Sequence, residues 1–293
     1  MPSLAETPSA TEQYRDATNL NARIALHARF STNPYSWQRW VWDQLDLSPD
    51  SHILELGCGP GDLWVENQDR APLASRPLPA NPPSGKGPGP INAANANGAP
   101  AGWRITLTDL SPGMVQQTRH NLGRFQQCFR LAVTDALALP FPSTAFDAVI
   151  ANHMLYHVPD RPQALHEIRR VLRPRGRLYA TTVGLGHLRE LRELILCVAP
   201  KVNPDSLAEV NPFTLESGGE QLDPYFAHVT MKRYEDNLRV TAAEPLVAYI
   251  LSAPTWAEAI GDRADQLEQA VRTRLAADGV IHVTKDSGLF IAW

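Results

Sequence analysis

The chain has 293 residues and a formal net charge of −4, and its pI is about 6.1. That length carries one large α/β core. The acidic balance, without any block of Lys or Arg, argues against a nucleic-acid binder, and no apolar run reaches the ~18 residues of a membrane span. Cys58, Cys128 and Cys197 have no paired or metal-ligand spacing, and the polar N-terminus carries no secretory signal. A reducing, cytoplasmic setting is therefore expected.

Residues 1–12 read as disordered and 13–31 as a helix. Asn33-Pro34 starts a second helix, capped by Asn33 and running to about Leu45. It holds Trp37, Trp40 and Trp42. Packing on a sheet accounts for them; the alternative is that Tyr35 or Trp37 closes over a bound ligand, where an aromatic face favours a cation.

The apolar run Ile53-Leu54-Glu55-Leu56 reads as a buried strand entering Gly57, Gly59 and Gly61. Glycines at every second position let the backbone turn sharply and approach a ligand. A helix starting just after would aim free N–H groups at an anionic end of that ligand. A carboxylate in the strand, Glu55, is costly unless paired or hydrogen-bonded. A dinucleotide fingerprint wants Gly-x-Gly-x-x-Gly, but Asp62 occupies its third position and Gly61 falls one residue early.

The second strand, Arg104 to Asp109, ends in an acid suited to ribose hydroxyls, which ordinarily lies about 20 residues past the loop. Here the gap from Gly57 is 52 residues. Residues 71–100 supply the excess: eight prolines, four glycines and no aromatic or acidic residue, a composition unable to bury enough surface to offset ordering. They read as a flexible insertion, with a partner-binding arm as the alternative. Ser111, Pro112 and Gly123 mark the cap, first turn and stop of the next helix. Leu131–Asp135 is a third strand ending in an acid, and Ala145–Ala151 a fourth, buried on both faces. Asn152, His153 and His157 follow it, where open α/β sheets bind ligands. Asp160 and Gln163 form a capping box for Pro162–Leu172. A fifth strand follows, then an amphipathic helix (Leu188 to Val198), a sixth strand (Ala227–Tyr234), a capping box at Thr241 and Glu244, a helix over Asp262–Ala277 and a final strand at Leu289–Trp293.

Glu55-Leu-Gly57-Cys58-Gly59-Pro-Gly61 looks like the first motif of the class I S-adenosylmethionine-dependent methyltransferases. Asp109-Leu110-Ser-Pro-Gly-Met, Asp135-Ala136, Phe-Asp-Ala-Val-Ile, Leu-Tyr-His157-Val and Leu-Arg-Pro-Arg-Gly resemble its later segments. The ordered set spans roughly residues 50–185, the insertion set aside, and is most similar to the small-molecule branch typified by quinone-biosynthesis enzymes. The resemblance implies an α/β, Rossmann-like seven-stranded sheet in the order 3-2-1-4-5-7-6, last strand antiparallel, with helices on both faces. It implies a single domain over 13–293, with 13–46 as a helical cap and 186–226 as a lid.

The same resemblance implies S-adenosylmethionine held by Glu55, Gly57, Cys58, Gly59, Gly61, Asp109, Leu110, Asp135, Ala136 and Asn152. Asp135 and the Ala136 N–H would meet adenine. Tyr35, Trp37 and His153 are candidates for the acceptor pocket. His157 is the candidate general base, with a structural role as its alternative. His153 and His157 lie four apart, but no third ligand is evident, so no metal is expected. The expected activity is methyl transfer to a small molecule by in-line displacement. A non-catalytic cofactor-binding protein, or a methyltransferase acting on RNA or protein, remains open, as does the oligomeric state.

Overall fold

A computed structural model describes residues 18–72, 102–207 and 213–293. The expected disorder of 1–12, and all of the 71–100 insertion but its first two residues, lie outside them. Contacts divide the chain into two compact units. One comprises Tyr35–Val183, Phe213–Lys232 and Gly288–Trp293; the other comprises Met1–Pro34, Gly184–Pro212 and Arg233–Ser287. The segments 13–46 and 186–226 each contribute to both units, with boundaries at Pro34 and Pro212.

In chain order the elements are α1 (Thr18–Phe30), α2 (Trp37–Asp43), β1 (His52–Leu56), α3 (Asp62–Glu66), β2 (Arg104–Asp109), α4 (Pro112–Leu122), β3 (Phe129–Val133), β4 (Phe146–Asn152), α5 (Arg161–Val171) and β5 (Leu172–Val183). Then come α6 (Arg189–Val198), α7 (Gly218–Leu222), β6 (Val229–Tyr234), β7 (Asn237–Val240), α8 (Ala243–Ser252), α9 (Pro254–Ile260), α10 (Ala264–Asp278), β8 (Ile281–Thr284) and β9 (Ser287–Ala292).

Seven strands form one sheet in the order β3-β2-β1-β4-β5-β9-β6, with the last strand antiparallel. This is the expected order; β7 and β8 pair separately and shift the final strand's number. All of β1 is buried, as a central parallel strand requires. Alternate residues feed two cores. Leu54, Leu56, Val149 and Ala151 meet Leu165 and Ile168 of α5. Ile53, Ile105, Ala148 and Ile150 meet Val41, Trp42, Trp64 and Trp103. Indoles crowd the second core, with Trp42 and Trp103 centroids 5.0 Å apart and Trp42 and Trp64 5.8 Å apart.

The parallel register aligns the strand ends. Leu56 pairs with Thr108 and Ala151, Asp109 with Val133, and Asn152 with Thr181. The loops leaving β1, β2, β3 and β4 therefore start along one edge. The long excursion between α3 and β2 begins and ends at one place, since the Trp103 N–H donates to the Pro72 carbonyl at 2.7 Å.

In the other unit, Leu26, Leu191, Ile195, Leu246, Ile250, Leu267 and Val271 share a separate core. Buried Asp236 accepts from the Thr32 and Asn33 amides, both at 3.0 Å, and from the Ser31 hydroxyl and the Lys285 ammonium. Asn33 is thus engaged there and does not cap α2. Ser36 does, its hydroxyl accepting from the Arg39 N–H. Likewise α8 follows Ala242 without a side-chain cap, and Glu244 pairs with Arg272 at 2.6 Å.

Candidate active site

Gly57, Gly59 and Gly61 adopt φ of +63°, +54° and +83°, which side chains resist. They serve two ends. A Cβ on Gly57 would lie 2.7 Å from the Met154 Cβ, and one on Gly61 2.8 Å from the Thr118 methyl. A Cβ on Gly59 would meet nothing within 4 Å. Two glycines therefore permit packing, while the middle one presents bare peptide to open space.

The loop is tied down from behind and from β2. The Thr118 hydroxyl donates to the Gly59 carbonyl at 2.5 Å, and the Asn121 amide to the Pro60 carbonyl at 3.0 Å. Thr118 and Asn121 lie three apart on α4, one face of a helix. The Asp109 carboxylate accepts from the Gly59 N–H at 2.9 Å and the Ser111 N–H at 2.8 Å. It thereby bridges the β1 loop and the start of α4, which Ser111 caps as expected.

Burial dominates the electrostatics. It pushes the fully buried Glu55 carboxyl up to about 8, against the indole N–H of Trp64, which donates to it at 2.5 Å; the charges of Asp109 and Asp62 add to the rise. Burial also raises Asp109, opposed by the Ser111, Gly59 and Leu110 amides, and raises Asp62 and the Cys58 thiol. Among the described residues no ion pair reaches Glu55, Asp62 or Asp109. The following helix, α3, has five residues. The loop is therefore acidic and its helix short, a poorer anion site than the glycine pattern implied.

At the third strand's end, Asp135 is exposed and accepts from the Leu137 N–H at 2.9 Å, while Ala136 is buried. Leu110 and Val133, at the tips of β2 and β3, are 46% and 51% exposed. Beside them the Thr134 hydroxyl is buried without a hydrogen-bond partner among the described residues.

The fourth tip is built from side chains. His153 has φ +53°. Its N–H donates to the Thr181 hydroxyl at 2.9 Å, and that hydroxyl donates to Asn152 Oδ1 at 2.6 Å. The Asn152 amide reaches Gln38 Oε1 at 3.4 Å. The His153 ring lies 5.0 Å from Trp37 and 6.2 Å from Tyr156, whose ring is 4.5 Å from His157. Trp37, His153, Tyr156 and His157 thus form one group. Helix α2 serves two purposes, since Val41 and Trp42 are core residues while Trp37, partly buried against the same core, also joins this group. Tyr35 is held elsewhere, its hydroxyl donating to Asp43 at 2.5 Å. Among the described residues no group of three metal-binding side chains occurs.

Thr118, Asn121, Gln38 and Thr181 were not singled out from the sequence. Polar residues three apart on α4 were a usable signal for the first two. A threonine in an apolar strand gives none.

Residues 84–180 match the family described as Methyltransferase domain. The chain is 32% identical over 144 residues to the ubiquinone/menaquinone biosynthesis C-methyltransferase UbiE of Paracoccus denitrificans, covering 48% of this chain and 46% of that protein. It is 30% identical over 146 residues to the demethylmenaquinone methyltransferase of Symbiobacterium thermophilum, covering 48% and 47%. The chain spans about half the length of the curated relatives it matches. Its fold is like that of the YcgJ protein of Bacillus subtilis, with a TM-score of 0.53 at 14% identity, covering 87% of this chain and 96% of that one. The sheet order, the glycine turn and these matches agree in what they resemble: class I S-adenosylmethionine-dependent methyltransferases of the quinone-biosynthesis type.

Proposed function

We propose that the chain transfers a methyl group from S-adenosylmethionine to a small-molecule acceptor. The observation that carries this is the Gly59 peptide, left-handed and open on its outer side, held by the Asp109 carboxylate. S-adenosylmethionine bears a sulfonium and an ammonium against one carboxylate, so an acid-rich loop without paired cations suits it better than a dinucleotide pyrophosphate. Bound there, it supplies a methyl group open to in-line displacement.

The residues then have distinct tasks. Gly57, Gly59 and Gly61, with Cys58 between them, keep the peptide close to the amino-acid end. Asp109 accepts from ribose hydroxyls with lone pairs its amide partners leave free. Leu110 and the Asp135–Ala136 turn receive the adenine, beside the unsatisfied Thr134 hydroxyl. Glu55 acts from beneath the loop and Asn152 from the β4 tip. Trp37 and His153 line the acceptor side and shut out water, and orientation of this kind is worth about 7–11 kcal/mol in favourable cases. His157 takes a proton where the attacking atom carries one. Cytoplasmic residence is part of this reading, supported by three unpaired cysteines.

Quinol-type aromatics are the first acceptors to try, since the relatives are named for them and the pocket side is aromatic. The test is calorimetry with S-adenosylhomocysteine, then methylation of a demethylmenaquinol analogue. Micromolar binding of the nucleoside is expected. Heat for a nicotinamide dinucleotide and none for the nucleoside would overturn the reading.

A further inference from the structure

We propose that Thr181 is a positioning residue for the acceptor side of the site, acting through the backbone of His153. The proposal rests on the methyltransferase reading and adds a residue to it.

Thr181 is fully buried near the end of β5, in register with Asn152 on β4. Its hydroxyl uses both of its capacities: it accepts from the His153 N–H and donates to the Asn152 carboxamide. The first bond holds a residue in the left-handed region, which costs a non-glycine residue about 1–2 kcal/mol. The turn at His153 has two consequences. It brings the imidazole 5.0 Å from Trp37, and it seats Met154 where a side chain on Gly57 would collide with it. The second bond orients Asn152 toward Gln38 on α2, the helix that also carries Trp37. One hydroxyl thus ties β5 to the β4 tip, and through it to the glycine loop and α2. Removing it leaves a part-buried N–H and a carboxamide oxygen without this partner, and the left-handed turn without its anchor.

The test combines an NMR signal with a stability cycle on the full chain. The His153 ring protons, assigned with His153→Gln, are expected upfield because of the Trp37 ring current. Thr181→Val should move them toward ordinary histidine values, and Thr181→Ser should leave them in place. Thr181→Val should also lower Tm by ~3–6 °C. In a His153→Gly background, where the left-handed turn is unstrained, the same change should cost less than half of that. Lost packing alone would cost the same in both backgrounds. An unmoved ring signal in Thr181→Val, or equal Tm losses in the two backgrounds, overturns the proposal. If Thr181→Val does not fold, Thr181→Ala serves in the same cycle. Calorimetry of the unaltered chain with S-adenosylhomocysteine is run alongside. Its failure counts against the methyltransferase reading, while the ring signal and the cycle still judge the link from Thr181 to His153.

Discussion

The tips of β1 and β4 lie side by side and solve the same problem by different means. At β1 the proposed ligand surface is backbone: three left-handed glycines, with Thr118 and Asn121 fastening the peptide from behind and Asp109 from β2. At β4 the surface is side chain, and one left-handed histidine is held by a threonine from the next strand. The first arrangement tolerates almost no change of residue type at its centre. The second depends on a network in which several residues share the task.

The largest expected effect breaks the backbone side. Gly59→Val puts a branched side chain at φ +54° and into the one open face of the loop. S-adenosylhomocysteine affinity should fall by roughly 1000-fold, about 4 kcal/mol, by calorimetry. Binding within tenfold of the original would mean the ligand does not approach that peptide. Next is Glu55. Its carboxyl rises from an ordinary value near 4.5 to about 8 in the folded chain, so the folded state binds the extra proton. Its contribution to stability is complete below pH 4.5 and is lost as pH climbs toward about 8. Glu55→Gln should remove that slope and be more stable than the original chain at pH 8.5 by about 3 kcal/mol relative to pH 5.5, measured in urea. Parallel pH profiles would show that Glu55 is ionised throughout.

Asp109→Ala should cost about 2 kcal/mol in ligand affinity and a similar amount in stability, because its carboxylate also holds two loop amides. Loss of affinity with no loss of stability would show that the amides find other partners. Trp37→Ala sharpens the side-chain half of the comparison. Acceptor KM should rise about tenfold while Tm falls by only ~2–4 °C, since Val41 and Trp42 are the buried core members of α2 and Trp37 is only partly buried at the edge of that core. A large Tm loss with unchanged KM would mean that Trp37 serves the core alone.

Legibility followed the same division. The β1 loop was readable because only glycine satisfies its backbone, so the requirement is written in residue type. The Ser111 cap was readable for a similar local reason, whereas the strand order was legible only through the resemblance to a known family. The β4 network was not: the N–H of left-handed His153 is taken by Thr181, 28 residues away, and nothing local encodes that. Asn33 was misread as a cap because Asp236, some 200 residues later, takes its amide. The grouping of contacts into two units is likewise set by distant partners. The second core is assembled from three separated segments, and periodicity in each helix shows an apolar face without naming what it meets.

The smallest effect concerns the excursion that delays Asp109. Two observations make its ends self-sufficient. The Trp103 N–H reaches the Pro72 carbonyl at 2.7 Å, and the Trp103 ring is buried against Trp42, with its indole N–H donating to the Ser48 carbonyl at 2.9 Å. Neither bond draws on the residues between. Replacing residues 73–101 with Gly-Ser-Gly-Ser should therefore leave the junction intact and shorten a loop whose closure costs entropy, a change of about 1 kcal/mol in favour of folding. Urea denaturation checks the sign, and calorimetry with S-adenosylhomocysteine should show affinity within a factor of about two. A drop of tenfold or more would mean that the excursion contributes to the ligand site, and that the backbone side of the comparison extends beyond its three glycines.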